Sequence, residues 1–189
     1  MLDQDEKSFG GIHVLQWLFI SDRHCYEDAE FLKLNKINFV FPICPEYEID
    51  YRKDISYFKI QWQKDDPDFI FKLQHSMMDN FEAILNEIHA NNCSALVFSD
   101  QGQNRTICMI VLYLLRRYKW SFYKCLKYIN IKRANLTLKT EYFNNLYKVC
   151  SEYGQKHQLS CDFGEEMYSP FQEEEILLEN TYFNEKLKC

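Results

Sequence analysis

The segment LVFSDQGQNRT, residues 96–106, decides the fold of this chain. A short apolar run of strand length, residues 94–98, leads into a polar loop, and residues 107–118 after the loop are apolar nearly all round. A helix that is apolar on every side is typical of a buried position. We therefore predict a buried strand, a polar loop and a central helix that begins where the loop ends.

The loop has the composition of an anion-binding site. A loop between a strand and a helix gathers backbone N–H groups around an anion, with the helix N-terminus behind them. Its glycine tolerates a close approach of the backbone, and its arginine can donate two parallel hydrogen bonds to a tetrahedral oxyanion. The predicted phosphate-binding residues are Ser99, Asp100, Gln101, Gly102, Gln103, Asn104, Arg105 and Thr106. We predict no metal and no cofactor.

Strands are expected before this loop. Residues 12–20 are apolar enough for one strand buried on both faces, and residues 37–41 form a second buried run that Pro42 and Pro45 close. Residues 55–62 alternate apolar and polar side chains, which is the strand period. Between the first two strands, Ser21 and Asp22 open a short helix that carries residues 29–34.

Helices dominate the rest of the chain. Asp66 is a candidate N-cap with Pro67 at the first helical position, and apolar residues then recur from 70 to 88 on one helical face. Ser121 can cap a further helix, and a last one carries apolar residues from 138 to 153. The predicted fold class is α/β: a central mixed sheet flanked by helices, with a P-loop-like strand–loop–helix.

Composition narrows the function classes. The chain has 189 residues, 47% of them hydrophobic, which suits one ordinary domain with an appendage. Its net charge of −6 argues against nucleic acid or an anionic membrane as a partner. The eight cysteines are scattered, the first seven residues lack the apolar run of a signal peptide, and no apolar stretch is long enough to span a membrane. We expect reduced thiols and a cytoplasmic location.

The loop resembles the signature of the dual-specificity and protein-tyrosine phosphatases. That signature is His-Cys, two residues, Gly, two residues, Arg, then Ser or Thr, and Gly102, Arg105 and Thr106 fall in register with it. Ser99 stands in the place of the nucleophilic cysteine and Phe98 in that of the histidine. The resemblance extends over about residues 10–153 and implies a phosphatase-like sheet and helices. The Phe-Ser pair resembles above all the STYX-type pseudophosphatases, the serine/threonine/tyrosine-interacting-like branch.

The two replacements imply a protein without phosphatase activity. The family's mechanism needs a thiolate that attacks phosphorus, and a helix N-terminus beside an arginine lowers a thiol pKa into the neutral range. A serine hydroxyl starts far too high for the same environment to ionise it, and Phe98 offers no polar side-chain atom. The resemblance therefore implies no catalytic residue, with Ser99 in place of the nucleophile.

Three functions stay open at this point. The first is an inactive phosphatase-like domain that binds phosphorylated proteins or acts as a scaffold or regulator. The second is a structural subunit of a larger intracellular assembly, for which the cytoskeleton is one candidate. In that case the loop is vestigial. The third is an active phosphatase with unusual residues, which needs a general acid from among Asp65, Asp66 and Asp68. The local pattern assigns Asp66 and Asp68 to a helix start, and Lys64 occupies the position that a direct alignment from Ile60 gives to the acid.

The C-terminal segment is a second candidate for binding. Residues 1–154 are predicted to form the phosphatase-like domain, which Gly154 closes. Residues 155–189 form an acidic tail in which aromatic and aliphatic residues recur more often than in a purely solvating segment. We expect this tail to dock onto a protein partner or onto the chain itself.

Overall fold

The computed structural model describes residues 10–73, 76–132 and 138–159. A mixed sheet lies at its centre. Its strands are β1 Ile12–Leu15, β2 Leu18–Ser21, β3 Ile37–Pro42, β4 Ser56–Tyr57 and β5 Ser94–Phe98, and their order across the sheet is β1-β2-β5-β3-β4. β1 runs antiparallel to β2, and the other neighbouring pairs are parallel. The predicted α/β class with a central mixed sheet flanked by helices is confirmed.

Helices cover both faces of this sheet. They are α1 Arg23–Glu27, α2 Ala29–Leu34, α3 Phe69–Lys72, α4 Ser76–Ala90, α5 Asn104–Tyr118, α6 Phe122–Lys132 and α7 Thr140–Lys156. Successive side chains of a strand point to opposite faces. In β5, Ala95 and Val97 therefore join the large core under α4 to α7, whereas Leu96 and Phe98 join a smaller cluster beside α1 and α2.

The prediction of one strand over residues 12–20 was wrong. The run splits into β1 and β2, an antiparallel hairpin in which Leu15 pairs with Leu18 across the turn Gln16–Trp17. A continuous apolar run cannot distinguish one buried strand from a tight hairpin, because both keep the same residues in the core.

The single short helix predicted after Ser21 is two helices. The Asp22 carboxylate accepts a hydrogen bond from Cys25 N and caps α1, and the Asp28 carboxylate accepts hydrogen bonds from Glu30 N and Phe31 N and caps α2. Each aspartate satisfies N–H groups that a helix start leaves open. The second capping aspartate, Asp28, therefore begins a new helix where the sequence predicted one continuous helix.

The long helix predicted from Asp66 to Ile88 is also divided. α3 ends at Lys72 and α4 begins at Ser76, and Asp68, rather than Asp66, is the residue before α3. Asp68 has no side-chain capping bond there. Apolar residues of both helices face the same core, which explains the continuous apolar period in the sequence: Ile70, Leu73, Met78, Phe81 and Leu85.

Residues 55–62 are mostly extended but form little regular strand. Only Ser56–Tyr57 is assigned as β4, while Phe58 N and Ile60 N donate to Val40 O and Pro42 O, which continues the attachment to β3. The alternation of apolar and polar residues in this segment therefore reflects burial and not a regular strand, since the side chains of Ile60 and Trp62 lie in the core.

Helices α5 and α6 match their predictions, whereas α7 runs past the glycine that was predicted to close the domain. α5 is buried from Arg105 to Leu115, and Ser121 Oγ accepts a hydrogen bond from Lys124 N at the start of α6. α7 continues through Gly154, which is buried, to Lys156. The tail from residue 160 lies outside the described residues. No helix in the described ranges is both long and apolar enough to cross a membrane.

Candidate functional site

The signature loop joins β5 to α5 and places Ser99 and Thr106 together. Thr106 Oγ1 donates a hydrogen bond to Ser99 Oγ at 2.8 Å. Ser99 is 2% exposed and Thr106 is fully buried. The two hydroxyls thus bridge the end of the strand and the first turn of the helix, so part of the loop's order comes from this internal bond.

Gly102 lets the loop lie directly against the turn after β2. Its φ is +61°, in the left-handed region, and Gly102 N donates to Ser99 O at 3.1 Å. A Cβ at this position would lie 2.6 Å from Ser21 O and 2.7 Å from Asp22 N, which are backbone atoms. Arg23 N also donates to Asp100 O. The glycine is therefore required by both conformation and space.

Arg105, the predicted anion ligand, is buried and engaged by protein groups. Its Nη1 donates to Trp62 O at 2.8 Å and to a Glu46 carboxylate oxygen at 3.1 Å, and its Nη2 donates to the other Glu46 oxygen at 2.6 Å. The arginine side chain is 5% exposed and that of Glu46 is 26% exposed. A bidentate carboxylate therefore occupies the fork of the guanidinium.

The rim of the loop carries a second ion pair. Lys64 Nζ lies 3.2 Å from Asp100 Oδ2, and a hydrogen bond to Asp100 raises the pKa of Tyr47. The same pairing with Asp100 raises the pKa of Lys64. Lys64 thus neutralises the negative charge that Asp100 adds to the rim.

Phe98 packs in an apolar layer behind the loop. Its ring stacks on that of Tyr26 with centroids 4.6 Å apart and planes 7° apart, and the side chain is fully buried. The Tyr26 hydroxyl donates to Asp50 O and contacts the Tyr57 hydroxyl. Burial raises the pKa of Tyr26 above its ordinary value. The position of the signature histidine therefore holds hydrophobic packing in this chain.

The buried thiols beside the loop lack the character of nucleophiles. Burial raises the pKa of Cys25 to about 12 and that of Cys44 to about 12. Both side chains are neutral at physiological pH, and thiols react as thiolates. Neither thiol therefore offers a thiolate in place of the signature cysteine at neutral pH.

Two of the three aspartates weighed as a general acid, Asp66 and Asp68, are engaged elsewhere. Asp68 Oδ1 accepts a hydrogen bond from Asn145 Nδ2 at 2.9 Å, and Asp66 Oδ2 lies 3.7 Å from Lys72 Nζ. The backbone carbonyl of Asp66 accepts the indole N–H of Trp62. Of residues 64–68, Lys64 is the one that lines the loop's pocket.

The pocket brings most of the predicted residues together and adds three that the motif does not contain. Its lining is Lys64, Ser99, Asp100, Gln101, Gln103, Asn104, Arg105, Lys139 and Tyr142. Asn104 Oδ1 accepts from Lys139 N, and the Tyr142 hydroxyl donates to Lys64 O. Gly102 lies against the β2 turn and Thr106 is buried behind Ser99. The start of α7 and the residue before it therefore form one side of the pocket.

Glu46 is the site residue that sequence reasoning missed. It follows β3, a parallel neighbour of β5, so the segment after each strand emerges at the same sheet edge. A carboxylate just past Pro45 was therefore a signal that could have been used. In the described residues, no group of three histidine, cysteine or acidic side chains is arranged to hold a metal ion.

Comparison with known proteins agrees with this geometry. Residues 18–152 match the family model described as "Dual specificity phosphatase, catalytic domain". No match was found among curated proteins. Many solved structures share the fold, at identities that support the fold alone.

Three of these structures illustrate the likeness. The crystal structure of DUSP15 has a TM-score of 0.68 and 23% identity, and covers 83% of this chain and 99% of its own. Human DUSP28 has a TM-score of 0.64 and 16% identity, and covers 76% and 94%. Human tyrosine phosphatase-like serine/threonine/tyrosine-interacting protein has a TM-score of 0.64 and 12% identity, and covers 79% and 99%.

The family model spans well over half of the chain, including strands β2 to β5, the signature loop and α5 to α7 up to residue 152. The chain therefore belongs to the dual specificity phosphatase catalytic domain family.

Proposed function

We propose that this protein is a catalytically inactive member of the family that acts by binding other proteins, in the manner of the STYX-type pseudophosphatases. The observation that carries the proposal is Ser99 in the nucleophile's position, with its Oγ accepting a hydrogen bond from Thr106. Covalent phosphoryl transfer requires an activated nucleophile. A buried serine hydroxyl that shares a hydrogen bond with threonine lacks that activation.

The surroundings of Ser99 support the same conclusion. Phe98 contributes stacking on Tyr26 where the signature has an imidazole. The residues lining the pocket, within the described part of the chain, include no histidine or cysteine. The candidate acids Asp66 and Asp68 pair with Lys72 and Asn145. The absence of a histidine or cysteine from that lining, and the pairing of Asp66 and Asp68 elsewhere, support the proposal that the hydroxyl is not activated for transfer.

Hydrolysis of an aryl phosphate tests the proposal directly. The full chain and its Arg105→Ala variant are incubated with p-nitrophenyl phosphate and EDTA, and product release is compared with buffer alone. We expect no release above the buffer rate from either protein. Metal-independent turnover by the wild type that disappears in Arg105→Ala would overturn the proposal, because the arginine belongs to the site and a contaminating enzyme would be unaffected.

Phosphoprotein recognition is the second candidate, and Arg105 favours it. A buried guanidinium at the first turn of α5, behind a loop that retains Gly102 and Thr106, is the part of the family's site that binds phosphate without chemistry. The alternative is a scaffold or structural subunit whose loop holds no ligand. Titration of the full chain with a phosphotyrosine or phosphothreonine peptide separates the two, since a ligand of the native state raises the melting temperature saturably.

A further inference from the structure

We infer that a groove between α6 and α7 is the docking site of the chain's own C-terminal tail, residues 160–189. The groove and the pocket of the signature loop are lined by different residues of the described chain. The inference therefore goes beyond the function proposed above and does not depend on the chemistry of the loop.

The groove is open and lined by aromatic side chains. It has a volume of about 360 Å³ and lies where the end of α5, the start of α6 and the second half of α7 meet. The ring centroids of Phe122 and Tyr147 lie 5.5 Å apart, and those of Tyr123 and Tyr147 lie 6.2 Å apart. Tyr147 is 44% exposed. Exposed apolar surface of this kind is typical of an interaction site.

The end of α7 turns the chain toward this groove. Gln158 has φ +54°, its N–H donates to Gln155 O at 3.3 Å, and Leu159 N donates to Gly154 O at 2.9 Å. These two bonds around a left-handed residue form a Schellman motif, which commonly packs an apolar residue just beyond a helix against its last turn. Leu159 is that residue, and it lines the groove together with Gly154. The residue from which the tail continues therefore lies at the groove itself.

Attachment at this point favours the tail over a separate partner. A segment joined to its own site docks intramolecularly, at an effective concentration on the order of millimolar. Phe163 is the first aromatic residue of the tail and follows Leu159 by four residues, which an extended chain covers in about 13 Å. Tyr147 precedes Gly154 by seven residues, or about 10 Å along α7. The Phe163 side chain can therefore reach the aromatic rings of the groove.

The tail and the helices that form the groove have opposite charges. Residues 116–159 contain ten lysines and arginines and two acidic residues, whereas residues 160–189 contain eight acidic residues and two lysines. Residues 1–159 as a whole carry as many basic as acidic residues, so the net charge of −6 belongs to the tail. Charge complementarity selects a partner and its orientation. An acidic segment with aromatic side chains is thus the occupant that this aromatic groove on basic helices fits.

Photo-cross-linking in the full chain locates the tail. The photoreactive amino acid p-benzoylphenylalanine replaces Phe163, the purified protein is irradiated, and tryptic peptides joined by the probe are identified by mass spectrometry. Trypsin leaves residues 157–186 as one peptide and releases residues 120–124 and 140–148, which contain the groove's aromatic residues, as two others. We expect cross-links from residue 163 to peptide 120–124 or peptide 140–148 within a single chain.

A repulsive substitution in the groove provides the matched comparison. In the protein that carries the probe, Tyr147→Glu places a carboxylate against the acidic tail and should lower the yield of this cross-link about threefold or more. Tyr51→Glu makes the same change at an exposed tyrosine between β3 and β4 and should keep the yield within about twofold. Tyr147→Ala replaces Tyr147→Glu if the latter lacks a cooperative melting transition.

Three results would overturn the inference. One is a cross-link from residue 163 only to other parts of the chain, or no cross-link at all. Another is a covalent dimer whose yield rises with protein concentration, because the tail would then dock on a second copy. The third is a yield that falls equally in Tyr147→Glu and Tyr51→Glu, or in neither. Each leaves the proposed loss of phosphatase activity standing, since the aryl phosphate assay tests that separately.

Discussion

The rings of Phe98 and Tyr26 stack 4.6 Å apart, with their planes 7° from parallel, at the end of the strand that leads into the signature loop. Phe98 is fully buried and Tyr26 is 4% exposed. The position where the family motif has a histidine is thus a packing position, which links the replacement of that histidine to the stability of the fold.

Replacement of Phe98 by histidine should therefore destabilise the protein. Phe98→His removes aromatic packing and buries a polar ring, for an expected loss of about 2–4 kcal/mol in the free energy of unfolding. Phe98→Leu keeps an apolar side chain and should cost about 1–2 kcal/mol. Urea denaturation followed by circular dichroism measures both. Equal stability of Phe98→His and wild type would show that the layer does not depend on the aromatic ring.

Restoring the signature should restore only weak activity. Ser99→Cys supplies a thiol at the start of α5, and Phe98→His supplies the polar neighbour that the motif carries. We expect slow hydrolysis of p-nitrophenyl phosphate by the double variant and little by either single one, because Phe98 cannot make the polar contacts that would order the loop and tune the thiol. Robust turnover by the Ser99→Cys variant alone would contradict a need for the histidine.

The hydroxyl pair of Ser99 and Thr106 should be energetically coupled. Thr106→Val keeps the shape but removes the donor to Ser99 Oγ, and loss of a buried hydrogen bond costs about 1–3 kcal/mol. Thr106→Ser retains the hydroxyl and serves as the control. In a double-mutant cycle with Ser99→Ala, we expect the combined loss to fall short of the sum by about 1 kcal/mol. Strict additivity would mean that the bond contributes nothing.

Two glycines with positive φ should respond differently to alanine. At Gly102 a methyl group meets Ser21 O at 2.6 Å, whereas at Gly10, with φ +67°, no atom lies within 4 Å of the added Cβ. Gly10→Ala should cost about 1 kcal/mol from backbone strain alone, and Gly102→Ala about 2–4 kcal/mol from strain and overlap together. Thermal unfolding of both variants measures the difference. Equal losses would refute the close approach at Gly102.

The buried Cys44 thiol should make stability fall at alkaline pH. Burial raises its pKa from 9.0 to about 12 in the folded protein. Between these values the unfolded chain releases the proton and the native state keeps it, so the native state loses stability as pH rises. Cys44→Ala removes this contribution, and its destabilisation relative to wild type should shrink by up to about 1.4 kcal/mol from pH 7.5 to pH 10. An unchanged difference would mean that the thiol ionises alike in both states.

Residues 94–118 show what the sequence by itself determined. The apolar strand, the polar loop and the all-round apolar helix appear in the structure where they were predicted, as β5, the signature loop and α5. The substitutions at residues 98 and 99 were also readable from the sequence alone. Such features depend on residues that are near each other in the chain, whose spacing directly reports the local backbone period and the chemistry available.

The tertiary structure alone decided the state of the site. Glu46 is 59 residues from Arg105 in the chain, and its place just after β3 indicates the sheet edge but not that its carboxylate binds the guanidinium. The predicted strand over residues 12–20 became β1 and β2, and the long helix predicted after Asp66 became α3 and α4. An apolar run indicates which residues are buried but not where one element ends and the next begins. The pairing of strands β3 and β5 brings these distant residues to one sheet edge. Their charges then interact across space, where sequence separation has no influence.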